Sequence, residues 1–363
     1  MPPDAATFVR RRFKLNEHFS AWGIDALLIS GRENILYLTG FSGTDAAAVI
    51  TGDRVFLLVD GRYITAARET VRGAEIIEIR DLMDGVAEAL SAAQARRIGF
   101  DSAVLTVHTH KQLLKALHGE VLLLPLSEEL VMLRAVKDEH ELACMRKAAA
   151  IASGALLAIQ QHIRPGVTEQ DIALELDFRM RRDGADEISF PTIVASGKNS
   201  ALPHASPSSR RIEAGDVVVI DYGAVLEGYH SDETCTFFVG FADPEARQVY
   251  ARVLEAHDLA IAELRTGAAC RDVDRIVRDS LGKAGLSTFF SHGTGHGVGL
   301  DVHEAPRLNS RSTAILEAGM VVTIEPGVYL PGRWGIRIED TALVRDDGCE
   351  IFTKMPKTLT ILN

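Results

Sequence analysis

Cysteine is scarce in this chain, and Cys144, Cys235, Cys270 and Cys349 stand far apart with no CxxC pair. Neither a disulfide framework nor a thiolate-bound structural zinc is expected, and a reducing cytoplasm is the natural setting. Positive charge is also short. With 39 Lys and Arg against 50 Asp and Glu, the formal net charge is −11, which disfavours nucleic acid and anionic membrane surfaces as main partners. No apolar run reaches the roughly 18 residues that suggest a membrane-spanning helix; the nearest, residues 148–159, is interrupted by Ser153 and Gly154. Residues 1–15 carry basic side chains without an apolar segment behind them, so no secretory signal is read there. Three common signatures are missing as well: HExxH, a GxGxxG after a strand, and the Gly-Lys-Ser/Thr ending of a phosphate loop.

What is present fits a globular chain of about two domains, with 363 residues, 47% of them hydrophobic and 25% charged. Residues 1–126 alternate between helix-like and strand-like segments, which predicts an α/β domain. A helix is expected over 7–22 and strands over 25–30, 46–51, 55–60, 74–79, 97–100 and 121–126, with a tight Gly52-Asp53 turn between the second and third. Residues 127–138 read as a linker, with Asp138 as the N-cap of a long helix over 139–163.

From residue 139 to 363 the chain repeats itself. Residues 213–239, EAGDVVVIDYGAVLEGYHSDETCTFFV, return as residues 317–344, EAGMVVTIEPGVYLPGRWGIRIEDTALV. Arg164-Pro165-Gly166 likewise matches Arg265-Thr266-Gly267, each ahead of an amphipathic helix that stops at Gly184 or Gly285. Each half reads as helix, turn, helix, strand and hairpin, and together they describe one pseudo-two-fold α/β domain. A turn near Leu226–Glu227 is expected to place Asp221 opposite Asp232, and one near Gly332 to place Glu325 opposite Glu339. Like charges directly opposite on a sheet repel, and unpaired buried carboxylates are costly. Two such pairs at matching places call for cations.

Between the hairpins, residues 291–306, SHGTGHGVGLDVHEAP, hold three histidines, His292, His296 and His303, among four glycines that let the backbone bend sharply or approach a ligand. Carboxylates with a histidine make an oxygen-rich site that suits Mn²⁺, Fe²⁺, Co²⁺ or Mg²⁺. Two divalent ions offset four carboxylate charges, and such a pair activates water and polarises a carbonyl, so the chemistry indicated is hydrolysis.

Asp221, Asp232, His296, Glu325 and Glu339, with VVVIDYGAVLEGYHSDETCTF, SHGTGHGVGLDVHE, VVTIEPGVY and GIRIED around them, resemble the ligand set of the pita-bread metallopeptidases. FPTIVASGKNSALPHASPS (190–208) and NILYLTGFSGTDA (34–46) are similar to the Xaa-Pro branch of that family, the aminopeptidases P and prolidases. The resemblance implies a dinuclear metallo-exopeptidase that cleaves between an N-terminal residue and a following proline. Manganese is its expected metal, with Co²⁺, Fe²⁺ or Zn²⁺ as alternatives. It further implies that Asp221 binds one ion, that His296 and Glu325 bind mainly the other, and that Asp232 and Glu339 bridge. Glu325 would also act as base and His303 would steady the oxyanion. His292 and His204 would line the substrate pocket, and Arg337 would orient the carboxylates. Proline-containing peptides are the expected substrates and a homodimer the expected assembly. Remaining alternatives are a methionine-aminopeptidase-like exopeptidase, a creatinase-type hydrolase and a non-catalytic binding protein on the same fold. For a substrate carboxylate, Arg307, Arg311, Arg337 and a partner's arginine stay open. One departure is Cys235, where the family commonly has arginine.

Overall fold

The alternation in the first third becomes a six-stranded mixed sheet. Across it the strands run Glu75–Glu78, Arg54–Val59, Ala46–Thr51, Ala26–Ile29, Arg97–Asp101 and Leu122–Leu126. Every strand expected from the sequence is there; the central ones are buried apolar runs, while the outer strands Glu75–Glu78 and Leu122–Leu126 are largely half-buried or exposed. Ala26–Ile29 and Ala46–Thr51 are buried along almost their whole length. The computed structural model describes residues 5–52, 54–117 and 121–363. Asp53 of the expected turn and residues 1–4 of the segment read for a signal lie outside that set.

Two compact units result, Met1–Arg134 and Ala135–Asn363. The stretch read as a linker contains a short helix, Glu128–Met132, and its residues are claimed by different anchors. Arg134, 3% exposed, donates to the Asn34 side-chain carbonyl, and the Asn34 amide donates to Asp101 at 3.0 Å. Three residues later, Lys137 gives its backbone N–H to the Gly319 carbonyl at 2.9 Å and its ammonium to Glu304 at 3.1 Å, both side chains fully enclosed. Asp138 then opens the helix Glu139–Ile159 with a reciprocal capping box to Glu141. That helix, with its 3₁₀ extension to His162, is long and apolar enough to cross a bilayer. Here it lays Ala152, Leu156 and Ile159 into a protein core instead.

The repeat in the second unit is carried by matching hydrogen bonds. Gly166 N–H donates to Ile212 and Gly267 N–H to Leu316, while Ile212 and Leu316 return bonds to Val167 and Ala268. Each turn launches a helix, Glu169–Arg182 or Cys270–Lys283. Each half thus packs two helices on its own sheet. The first sheet orders Thr360–Leu362, Glu233–Val239, Val217–Tyr222 and Ile193–Ser196. The second orders Glu304–Leu308, Gly295–Gly297, Val321–Ile324, Asp340–Arg345 and Gly348–Ile351. Separate apolar clusters fill the halves, one around Leu176, Ile220 and Phe237, the other around Val253, Val277 and Val322. The acidic hairpins lie between them.

Candidate metal centre

In the second hairpin the sequence-derived register holds. Ile324 pairs with Asp340 and, beyond a break in the ladder, Gly327 pairs with Arg337, which leaves Glu325 facing Glu339. In the first hairpin the register differs. Asp221 is paired with Thr234 rather than Asp232, because the closing pair is Leu226 with Tyr229 and the turn residues are Glu227 and Gly228. Glu227 takes a left-handed φ of 51°, so the turn centre moves by one residue and the pairing by two. Asp232 still reaches the same face, since residues two apart on a strand point the same way.

His296 occupies the middle of the three-residue strand Gly295–Gly297. A Cβ on Gly295 would lie 1.9 Å from the Thr323 carbonyl oxygen, and one on Gly297 2.1 Å from that of Ala305. Only glycine permits this close approach, which presses His296 into the acidic pocket. Its Nδ1 lies 3.0 Å from the Gly297 carbonyl, the arrangement of an N–H donor, which turns Nε2 toward Asp232 and Glu325, each 3.6 Å away. A ring held by such a second hydrogen bond is oriented as metal-binding histidines are.

The hairpins are tied by Arg337, 3% exposed. Its Nη2 donates to Asp221 Oδ2 at 2.5 Å, Nε to Thr234 Oγ1 at 3.1 Å, and Nη1 to the Tyr329 hydroxyl at 2.8 Å and the Pro203 carbonyl at 3.1 Å. The Thr234 hydroxyl passes its own proton to Glu339 Oε2 at 2.7 Å. The Tyr329 hydroxyl lies 2.9 Å from His292 Nε2, and His292 Nδ1 lies 2.8 Å from the Gly293 carbonyl, so both ring nitrogens of His292 are engaged. Neither Tyr329 nor Thr234 was singled out by sequence reasoning. Tyr329 lies within the VVTIEPGVY segment, but no spacing marks its hydroxyl.

All nine sequence-nominated residues, Asp221, Asp232, Glu325, Glu339, His204, His292, His296, His303 and Arg337, line one cavity of about 420 Å³. Phe190, Pro191, Ile193, Pro203 and Val302 supply an apolar wall, and Arg307 and Asn309 complete the lining. His204 is exposed at this wall, and the His303 ring meets that of His296 edge-on at 4.4 Å. The loop carrying His303 is anchored next door, where Glu304 holds Lys137. Cys235 is buried 3.6 Å from the Lys357 ammonium and is not part of the cavity lining, so the departure at that position does not reach the site.

Electrostatics argue for cations. Burial first, then the neighbouring carboxylates, raises Asp232 and Glu339 well above the usual carboxylate range. Burial pushes Glu325 up to about 8, against the opposing pull of Arg337. Burial also lowers His296 to about 3 and His292 to about 4, leaving both imidazoles neutral at pH 7. Asp221 Oδ1 is buried with no hydrogen-bond partner among the described residues. Single ligand atoms of Asp232, His296 and Glu339 lie within 4.8 Å of one another. An orphaned carboxylate oxygen, three further acids that burial would otherwise keep protonated, and a neutral imidazole nitrogen form a donor set that fits divalent metal.

Comparison with known proteins gives the same direction. Residues 143–346 match metallopeptidase family M24, and residues 11–136 match the creatinase/prolidase N-terminal domain. An uncharacterized peptidase of Bacillus subtilis (strain 168), YqhT, is 40% identical over 350 residues, 96% of this chain and 99% of that protein. The solved Xaa-Pro dipeptidase from Bacillus anthracis superposes with a TM-score of 0.94 at 38% identity, covering 99% of this chain and 100% of its own. The X-Pro aminopeptidase from Thermotoga maritima MSB8 superposes at 0.89 with 34% identity, covering 96% and 99%.

Proposed function

We propose, for a chain that belongs to metallopeptidase family M24 and carries a creatinase/prolidase N-terminal domain ahead of a pita-bread catalytic domain, that it hydrolyses the bond between an N-terminal residue and a following proline. One observation carries the reading. Four carboxylates and His296 converge on one cavity of about 420 Å³, in a chain similar along nearly its whole length to Xaa-Pro peptidases.

Asp221, Asp232, His296, Glu325 and Glu339 would hold two divalent ions. When bound, such ions supply Lewis acidity to the scissile carbonyl and lower the pKa of water. Manganese suits this oxygen-rich set, and cobalt, iron or zinc would fit the same donors.

The remaining work belongs to the chain. Proline's imide nitrogen offers no proton, so the substrate is recognised by ring shape, for which Phe190, Pro191, Ile193 and Val302 supply apolar surface. Glu325, held ionised once cations occupy the pocket, is suited to accept a proton at its carboxylate and return it to the leaving nitrogen. His303, whose pKa is lowered chiefly by partial desolvation, presents its ring to the carbonyl oxygen as that oxygen gains charge. His292 has no free ring nitrogen and instead fixes the Tyr329 hydroxyl, which supports Arg337.

The arginines left open by the sequence separate by their partners. Arg337 is committed to Asp221, Tyr329, Thr234 and Pro203, and Arg311 is not among the cavity-lining residues. Arg307 lines the cavity with an exposed side chain, which supports it over Arg311 and Arg337 as this chain's cation for the carboxylate of a dipeptide. This favours dipeptidase over aminopeptidase activity. Cytoplasmic residence is supported by four free thiols, and a homodimer rests on family likeness alone. The deciding experiment compares an Xaa-Pro dipeptide with an Xaa-Pro-Yaa tripeptide on manganese-loaded enzyme. Turnover confined to the dipeptide supports the assignment, efficient cleavage of the tripeptide makes it an aminopeptidase, and turnover of neither removes the Xaa-Pro reading.

A further inference from the structure

Outside that cavity, three side chains of different chemistry meet where the helix Glu139–Ile159 approaches the tip of the first hairpin. His140 and Cys144 are one helical turn apart and share a face. Glu227 comes from the hairpin turn, where its backbone N–H is held by the Asp186 carboxylate at 2.6 Å. His140 Nε2 lies 3.7 Å from Cys144 Sγ and 3.7 Å from Glu227 Oε2. One ligand atom from each of the three lies within 4.8 Å of the others.

The His140–Cys144 separation is that of a sulfur hydrogen bond, while 3.7 Å to Glu227 is long for one between nitrogen and oxygen. Both are close to the edge of a tetrahedral zinc site, where bonds of about 2.0–2.3 Å place neighbouring ligands about 3.4–3.6 Å apart. A similar spacing recurs in the cavity, where His296 Nε2 stands 3.6 Å from both Asp232 and Glu325. Cys144 is buried, while the His140 side chain is 18% exposed and that of Glu227 37%, so solvent reaches the cluster. The ring edge of Tyr229 packs on His140 at 6.2 Å and helps set its orientation.

We propose that His140, Cys144 and Glu227 form a second metal site, separate from the carboxylate centre, for one divalent cation of the zinc class. Sulfur, imidazole and a single carboxylate select zinc over manganese, the reverse of the preference in the cavity. As the metal–sulfur bond forms, the Cys144 thiol releases its proton to solvent. The bound ion would tie the helix to the hairpin turn between Asp221 and Asp232.

The test uses full-length protein stripped with chelator and titrated with Co²⁺. No cysteine lines the cavity, so a near-ultraviolet sulfur-to-cobalt charge-transfer band reports the second site whatever the carboxylate centre does. Failure of the peptidase reading therefore leaves this readout intact. The band is expected to saturate at one equivalent per chain, to bleach on addition of Zn²⁺, to vanish in Cys144→Ser and to need at least tenfold more Co²⁺ in His140→Ala. Both variants should keep the Co²⁺ uptake that lacks the band. A wild-type protein without the band, or a Cys144→Ser protein that retains it, overturns the proposal.

Discussion

Arg337 on the second hairpin holds Asp221 on the first, Nη2 to Oδ2 at 2.5 Å, with the guanidinium side chain only 4% exposed. The contact engages one oxygen of Asp221 and leaves the other buried and without a hydrogen-bond partner among the described residues. A planar fork with donors on three nitrogens can serve Asp221, Thr234, Tyr329 and Pro203 together, and a lysine ammonium cannot reproduce that geometry. Arg337→Lys should lower manganese affinity by about 10–100-fold, the usual effect of losing a ligand's outer partner. Calorimetric titration with Mn²⁺ measures it, and unchanged affinity would show that the fork is dispensable.

In the proposed function Glu325 both holds metal and accepts a proton. Glu325→Gln keeps the shape and removes the charge, so it should weaken metal loading and lower kcat at least 100-fold, within the range for loss of a general base. Metal content by elemental analysis and turnover of an Xaa-Pro dipeptide are read together. Wild-type kinetics in this variant would dismiss the proton-accepting role.

The duplicated hairpins were legible because their acids sit after apolar runs in two matching copies, a pattern that survives any uncertainty in local conformation. The same logic located the turn near Gly332, since the closing pair Leu330 with Trp334 is centred there. It missed by one residue in the first hairpin, because a non-glycine residue, Glu227, takes a left-handed φ of 51° ahead of Gly228 and no common turn pair announces it. Tyr329 was illegible for another reason. Its place depends on contacts with Arg337 and His292, 8 and 37 positions away, which no periodicity encodes. Within the stretch read as a linker, Arg134 bonds Asn34 and Lys137 bonds Glu304, contacts that no local pattern encodes.

His303 presents the opposite test from Glu325. Its ring contacts that of His296 and its side chain is exposed at the cavity wall, whereas His296 is buried with Nε2 turned to Asp232 and Glu325. His303→Ala should therefore leave metal content intact and lower kcat by about 100–1,000-fold, the cost of removing one group that stabilises developing charge. Loss of bound metal instead would identify His303 as the nitrogen ligand in place of His296.

Acidity in the cavity sets a pH signature for the metal-free protein. Glu325 is raised from 4.5 to about 8 in the fold, so above 4.5 the unfolded chain holds fewer protons than the native one and stability falls as pH rises toward 8. His292 and His296 act in the opposite sense, but their contribution is complete once pH exceeds their ordinary 6.5. Between about pH 7 and 8 the carboxyl effect stands clear, on the order of 1 kcal/mol per pH unit for such a group. Thermal melts of chelator-treated protein should fall across that interval. Saturating Mn²⁺ should flatten or reverse the trend, because the cation binds the ionised carboxylates. A metal-free protein that is more stable at pH 8 than at pH 7 would contradict the acidic-pocket account.

Arg307, proposed to take a dipeptide's carboxylate, offers a test between the two modes of Xaa-Pro cleavage. In a dipeptide the carboxylate follows the proline ring directly, within the cavity, whereas in a tripeptide an amide stands there. A charge-assisted bond to a carboxylate contributes about 1.5–3 kcal/mol, so its loss corresponds to roughly 10–150-fold. Arg307→Ala should raise KM for an Xaa-Pro dipeptide by at least tenfold while changing that for an Xaa-Pro-Yaa amide less than threefold. Its side chain is exposed at the cavity wall, so the substitution leaves the core packing untouched. Equal losses on both substrates would make Arg307 a general element of the pocket, and no loss on either would place carboxylate capture elsewhere.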